Sequence, residues 1–210
     1  LRPELLRIGG LVPFSTVDFP GRLCAVLFCQ GCPWRCRYCH NPHLQPFTDG
    51  TWKWLSIENF LESRRGLLDA VVFSGGEPTA QPALEAAIQA VRRLGFQVGL
   101  HTAGIFPDRL RRVLPLVDWV GLDIKAPFDT RYSAITGVRA SWIPPGAALD
   151  ALLDEGVAYE TRTTVHPALL GEADKAALQA ELAARGAKPT RWQEFRPHGC
   201  ADPELVGRKP

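Results

Sequence analysis

Short apolar runs alternate along the chain with segments whose apolar residues recur at helical spacing. The runs are Leu23 to Cys29, Ala70 to Phe73, Phe96 to Leu100, Trp119 to Ile124, Tyr159 to Val165 and Trp192 to Phe195. Runs of this kind between helical segments are the pattern of βα units around a parallel sheet. Between them, Leu84, Ala87, Ile88, Val91 and Leu94 share a helical face, as do Ala148, Leu149, Leu152 and Leu153, and then Leu178 and Leu182. Gly95, Gly156 and Gly186 fall just past these three predicted helices, where a left-handed C-cap favours glycine. Pro144-Pro145-Gly146 reads as a turn leading into a helix.

The alternation amounts to about six βα steps. Six steps rather than eight predict a partial barrel, although an open doubly wound sheet gives the same one-dimensional pattern. In either architecture the chemistry belongs to loops at the C-terminal ends of the strands. No Ser-, Gly- or Pro-rich linker, repeat or low-complexity segment interrupts the 210 residues, so one domain spanning 1–210 is expected.

Composition narrows the function classes. Hydrophobic residues at 46% suffice for a core without disulfide staples, and a formal net charge of +2, with arginine scattered in pairs, does not indicate nucleic-acid binding. No apolar stretch approaches the roughly 18 residues of a membrane span, and no secretory signal is evident, so a cytoplasmic protein is expected. Methionine is absent, so Leu1 need not be the translated start.

Four of the six cysteines lie between Cys29 and Cys39, a clustering better suited to a metal in a reducing compartment than to disulfides. Cys32, Cys36 and Cys39 form C-x3-C-x2-C directly after the first predicted strand. A [4Fe–4S] cluster normally takes four thiolates, so three in one loop would leave one iron open to another ligand. A Cys3His zinc site with His40 or His43 fits the same spacing. Cys24 and Cys29 read as small buried residues, and Cys200 as isolated. The second strand ends in Ser74-Gly75-Gly76-Glu77-Pro78, where glycines permit close backbone approach and Glu77 offers an acceptor for an ammonium group. A plain strand-to-helix turn explains the same residues. Asp123 and Lys125 alternate along a strand and therefore share one face.

With Tyr38 ahead of its last cysteine and Gly75-Gly76-Glu77-Pro78 downstream, the loop resembles the radical S-adenosylmethionine (SAM) superfamily, which implies a partial (β/α)6 barrel of the TIM type. Thr16-Val17-Asp18-Phe19-Pro20-Gly21 and Cys39-His40-Asn41-Pro42 are similar to activating enzymes of glycyl-radical enzymes. Arg65-Gly66-Leu67-Leu68-Asp69, Asp123-Ile124-Lys125-Ala126-Pro127, Thr136-Gly137-Val138, Arg162-Thr163-Thr164-Val165 and Phe195-Arg196-Pro197 resemble, more narrowly, the anaerobic ribonucleoside-triphosphate reductase activating proteins. The resemblance runs from about Ile8 to Leu205.

It implies that Cys32, Cys36 and Cys39 hold one [4Fe–4S] cluster. SAM would be cleaved reductively to methionine and a 5′-deoxyadenosyl radical, which removes hydrogen from a backbone glycine of a partner enzyme. Gly75, Gly76 and Glu77 would hold the methionine amino group, and Tyr38 would flank the adenine. Asn41, Thr102, Asp123, Lys125, Arg162 and His198 stand where the family places residues of the SAM site or its nearby loops, and Asp18 could meet the partner. A low-potential donor such as flavodoxin or ferredoxin is implied. His101 stands where many relatives carry aspartate, so no role is carried over to it. The stretch from Asn41 to Asp69 has no cysteine, which predicts a single cluster. A deazapurine-type small-molecule radical SAM enzyme and a non-catalytic zinc module remain as alternative functions.

Overall fold

The computed structural model describes residues 1–207. Its strands are β1 (Ile8–Ser15), β2 (Cys24–Cys29), β3 (Ala70–Gly75), β4 (Gln97–Thr102), β5 (Trp119–Asp123), β6 (Ala158–Val165) and β7 (Arg191–Glu194). They form one sheet in sequential order, β1 antiparallel to β2 and every later pair parallel. Helices fill the crossovers: α1 (Trp54–Glu62), α2 (Leu84–Arg93), α3 (Pro107–Val113), α4 (Thr130–Thr136), α5 (Ile143–Glu155) and α6 (Glu172–Ala184), with α7 (Pro203–Val206) after β7. A doubly wound sheet reverses its strand order at a switch point; here the order never reverses, which is the topology of an open, partial barrel.

Strand residues sort by parity. Val71, Phe73, Val98, Leu100, Val120 and Leu122 face the helical layer, where Ile57, Leu61, Ile88, Val91, Leu110, Leu149, Leu152 and Leu178 cover them. Cys24, Val26, Ala70, Val72 and Trp119 face inward and enclose Phe19, which reaches in from the β1–β2 connection. Phe19 stacks on Trp119 at 5.5 Å. Room for this plug comes from glycine: a Cβ at Gly99 would lie 3.0 Å from the Phe19 ring, and one at Gly121 would lie 2.9 Å from Trp119. The N-terminal half of the barrel interior is thus apolar and filled, leaving polar side chains for the other end.

The apolar runs become β2 to β7. The pattern missed β1, an edge strand whose Gly9, Gly10 and Pro13 break both periodicities; proline is tolerated there because an edge leaves backbone N–H groups unpaired. It also missed α1, α3, α4 and α7. Pro144, Pro145 and Gly146 lie inside the first turn of α5 rather than before it, where missing or fixed backbone N–H groups cost nothing. Gly156 caps α5 with φ 70°, as expected. Cys24 and Cys29 are fully buried. Among the described residues no helix is long and apolar enough to cross a membrane.

Candidate active site

A cavity of about 260 Å³ opens at the C-terminal ends of the parallel strands. Its wall draws Cys32, Trp34, Cys36, Tyr38, Cys39, His40, Asn41 and Gln45 from the loop after β2, and Ser74, Gly75 and Gly76 from the end of β3. His101, Thr102 and Ala103 come from the end of β4, Asp123 and Lys125 from β5 and beyond, Arg162 and Thr164 from β6, and Gln193 from β7. Asp18 of the β1–β2 connection completes it.

The cysteine loop is held by its backbone. Gly31 N–H donates to the Leu44 carbonyl (2.7 Å), Cys32 N–H to Gln45 (2.9 Å), Arg35 N–H to Thr136 (3.0 Å) and Arg37 N–H to Ile135 (2.9 Å). From outside, Arg37 pairs with Asp202 and Glu204, and the Cys200 thiol lies 3.3 Å from the Arg37 carbonyl. The six thiols therefore divide: Cys32, Cys36 and Cys39 line the cavity, Cys24 and Cys29 lie in the core, and Cys200 faces backbone behind the loop. Burial and then the Glu77 charge push the Cys32 thiol up to about 12, and burial pushes Cys36 up to about 11. Both remain thiols until a bound cation compensates the thiolate charge.

That donor set fits a [4Fe–4S] cluster. Three cavity-facing thiols with no fourth match a cubane that leaves one iron to an exogenous ligand. Among the described residues no three His, Cys, Asp or Glu side chains converge on a point that could hold one metal ion, as a tetrahedral zinc would need. A cubane does not ask for that, because each thiolate binds a different iron.

The glycines of Gly75-Gly76 serve the protein. A Cβ at Gly75, whose φ is +116°, would lie 2.3 Å from the Cys29 nitrogen; one at Gly76 would lie 2.5 Å from the Gly31 carbonyl oxygen. Hydrogen bonds from Gly76 N–H to Cys29 O (2.9 Å) and from Glu77 N–H to Gly31 O (3.0 Å) bind β3 to the cysteine loop. Glu77 is fully buried and does not line the cavity. Its Oε1 accepts from Thr79 N–H (3.0 Å), the Thr79 hydroxyl and the Thr102 hydroxyl (2.6 Å), and its Oε2 from Ala103 N–H (2.9 Å). Burial raises its pKa, against the pull of those donors. The carboxylate thus clamps β3 to β4, with Oε1 accepting three hydrogen bonds and Oε2 one. Thr102 reaches the wall, but its hydroxyl belongs to the same clamp and accepts from Gly104 N–H (3.0 Å).

Across the cavity, Asp123 Oδ1 accepts from Arg162 Nε (3.0 Å) and Nη2 (2.8 Å), while Oδ2 accepts from Lys125 Nζ (3.3 Å). Burial pushes the Asp123 carboxyl up, but Arg162 and then Lys125 outweigh it and hold it at about 2. Lys125 is raised by Asp123 despite burial, and its ammonium lies 5.7 Å from the Tyr38 ring centroid. Two cations and one anion leave this side positive, suited to a carboxylate ligand. The Tyr38 hydroxyl is buried without a partner.

His101, left without a role by the sequence, places Nε2 2.8 Å from the Asp18 carbonyl and 3.3 Å from Arg162 Nη1. Burial and then the Arg162 charge push it down to about 4. Thr164 and Gln193 were also missed; Thr164 follows Arg162 by the same two-residue period that joins Asp123 to Lys125, and Gln193 is its partner in register. His198 lies on an exposed segment outside the cavity wall.

A partial barrel with a three-thiol loop at its mouth defines a class, and residues 26–180 match the radical SAM superfamily. The chain belongs to that superfamily; it is an oxidoreductase whose cofactors are a [4Fe–4S] cluster and SAM. Within it, the chain is 32% identical over 189 residues to a putative glycyl-radical enzyme activating enzyme of Methanocaldococcus jannaschii, covering 80% of this chain and 71% of that protein. It is 36% identical over 141 residues to a pyruvate formate-lyase-activating enzyme of Clostridium pasteurianum, covering 62% of this chain and 57% of that one. Streptococcus suis SuiB bound to its precursor peptide SuiA superimposes with a TM-score of 0.65 at 12% identity, covering 80% of this chain and 38% of SuiB, a likeness of fold.

Proposed function

We propose that the chain is an activase that installs a glycyl radical on a partner enzyme, and that this partner is an anaerobic ribonucleoside-triphosphate reductase. The observation that carries the reading is the division of the thiols: three at the cavity, none of the other three able to join them. Cys32, Cys36 and Cys39 would ligate the cluster. Arg162 and Lys125 would meet the SAM carboxylate, the backbone of Ser74 to Gly76 its ammonium group, and Tyr38 and Asn41 its nucleoside half. The bound cofactors supply one-electron cleavage of the sulfonium and, with it, hydrogen abstraction from a glycine Cα. The protein's part is to hold the ligands, exclude water and admit a peptide.

The activase reading draws support from the similarity to activating enzymes and from Asp18, which carries the Thr16–Gly21 segment to the cavity wall beside the three cysteines. The reductase as partner is supported by the motif resemblance around Asp123 and Arg162. A low-potential flavodoxin or ferredoxin would deliver the electron. Six unpaired thiols support a reducing, cytoplasmic setting.

The test is electron paramagnetic resonance on reconstituted, reduced enzyme with SAM and the reductase. A doublet that changes when the partner is made with α-deuterated glycine supports the proposal. SAM cleavage with no partner radical, together with turnover of a purine precursor, would replace it with a deazapurine-type reaction.

A further inference from the structure

The residues that line the cavity come from strand ends or the cysteine loop, except Asp18, which enters from the opposite end of the barrel. β1 runs antiparallel, so the β1–β2 connection lies at the N-terminal ends of the parallel strands, yet Asp18 reaches the cavity wall. Phe19 climbs inside the barrel to stack on Trp119. Next to it, the Asp18 carboxylate and Val17 N–H bond to the Ser15 side chain within the same connection, while the Asp18 carbonyl is met across the barrel by His101.

We propose that His101 is a positioning residue that ties the Thr16–Gly21 segment into the cavity wall while leaving one Arg162 nitrogen free for the ligand. The inference rests on the activase reading, since it assigns that segment to the partner side of the site. A carbonyl oxygen only accepts, so the 2.8 Å contact to Asp18 requires a proton on Nε2. The same nitrogen then cannot accept from Arg162 Nη1 at 3.3 Å. Nε and Nη2 of Arg162 are committed to Asp123, so Nη1 is the donor left facing the cavity. The imidazole stays neutral, because a second cation there would stand beside the guanidinium in a buried setting; burial and Arg162 both depress it. Trp119, edge-on to the imidazole at 5.5 Å, fixes the ring plane. An aspartate at this position could not do this, since an ionised carboxylate has no proton for a carbonyl.

Two substitutions separate the donor from the ring. His101→Phe keeps a ring against Trp119 and removes the donor; His101→Gln restores an N–H at similar reach. In cluster-reconstituted enzyme, hydrogen exchange at Asp18 and Phe19 should accelerate roughly tenfold in the Phe variant and return toward wild type in the Gln variant, as loss of one part-buried hydrogen bond predicts. With saturating SAM and the reductase as substrate, the Phe variant should raise KM for the reductase roughly tenfold, well beyond any change in partner-free SAM cleavage, with Gln rescuing KM. Equal exchange protection in all three proteins would overturn the tether. A matching loss of partner-free SAM cleavage would overturn it as well, by placing His101 in the SAM site. If wild-type enzyme never radicalises the reductase, the activase reading fails, while the exchange comparison still decides the tether.

Discussion

Gly76→Ala adds one methyl group, and the structure fixes what that group meets. Its carbon would lie 2.5 Å from the Gly31 carbonyl oxygen and 2.8 Å from that of Leu44, where ordinary contact begins at 3.4 Å. The nearer carbonyl must therefore retreat by about 0.9 Å. Both carbonyls already accept hydrogen bonds, Gly31 O from Glu77 N–H at 3.0 Å and Leu44 O from Gly31 N–H at 2.7 Å, so the retreat strains two bonds that anchor the cysteine loop. Overpacking costs roughly 1–3 kcal/mol and each weakened hydrogen bond about 0.5–1.5, giving an expected loss of about 2–6 kcal/mol. For a chain of this size that lowers Tm by roughly 4–24 °C. Circular dichroism melts of cluster-free protein measure it, and iron content after anaerobic reconstitution should fall in parallel because the displaced loop carries the thiols. Gly10→Ala is the control: its Cβ would meet Phe28 at an ordinary 3.5 Å, and Tm should hardly move. A Gly76→Ala protein with wild-type Tm and iron but weakened SAM binding would refute the reasoning, since the methyl would then have met the ligand rather than the loop.

Cys36→Ala should lose the cluster, whereas Cys24→Ala should keep it at a folding cost of about 1 kcal/mol; iron and sulfide analysis decides, and equal iron in both would remove Cys36 from the ligand set. Asp123 has a depressed pKa in the fold, so its ion pairs contribute stability above the ordinary carboxylate range and lose it as pH falls toward about 2. Its side chain is 33% exposed, so solvent screening trims the contribution to about 1 kcal/mol. The stability gap between wild type and Asp123→Asn in urea titrations should accordingly be constant near neutrality and close between about pH 4 and 2, and a gap unchanged across that range would contradict the pairing.

Strands β2 to β5 were legible because each is buried along most of its length and so writes a short, nearly continuous apolar run, whereas β6 and β7 are largely half-buried or exposed and were marked only by the β-branched and aromatic residues among their polar ones. β1 has no such signature: it pairs on one side only, and its burial follows the barrel's rim rather than its pleat. α1 does carry Trp54, Ile57 and Leu61 on one buried face, but its N-cap, Lys53, supplies no side-chain hydrogen bond, so nothing local announces its start. Barrel and doubly wound sheet were indistinguishable because the difference is the order in which strands meet, a long-range property.

At the site the same division holds. C-x3-C-x2-C is local chemistry on one loop and could be read directly. His101 could not, because its meaning depends on a carbonyl 83 residues earlier. The Gly-Gly-Glu motif is the instructive case, since its residue types suit a ligand equally well. In the fold, the Cβ directions of both glycines point into the backbone of Cys29 to Gly31, and the glutamate is spent on Thr79, Thr102 and Ala103. What remains facing the cavity is the main chain of Ser74 to Gly76. A motif that looks like a set of ligand contacts therefore acts first by building the wall, locking β3 both to the cysteine loop and to β4.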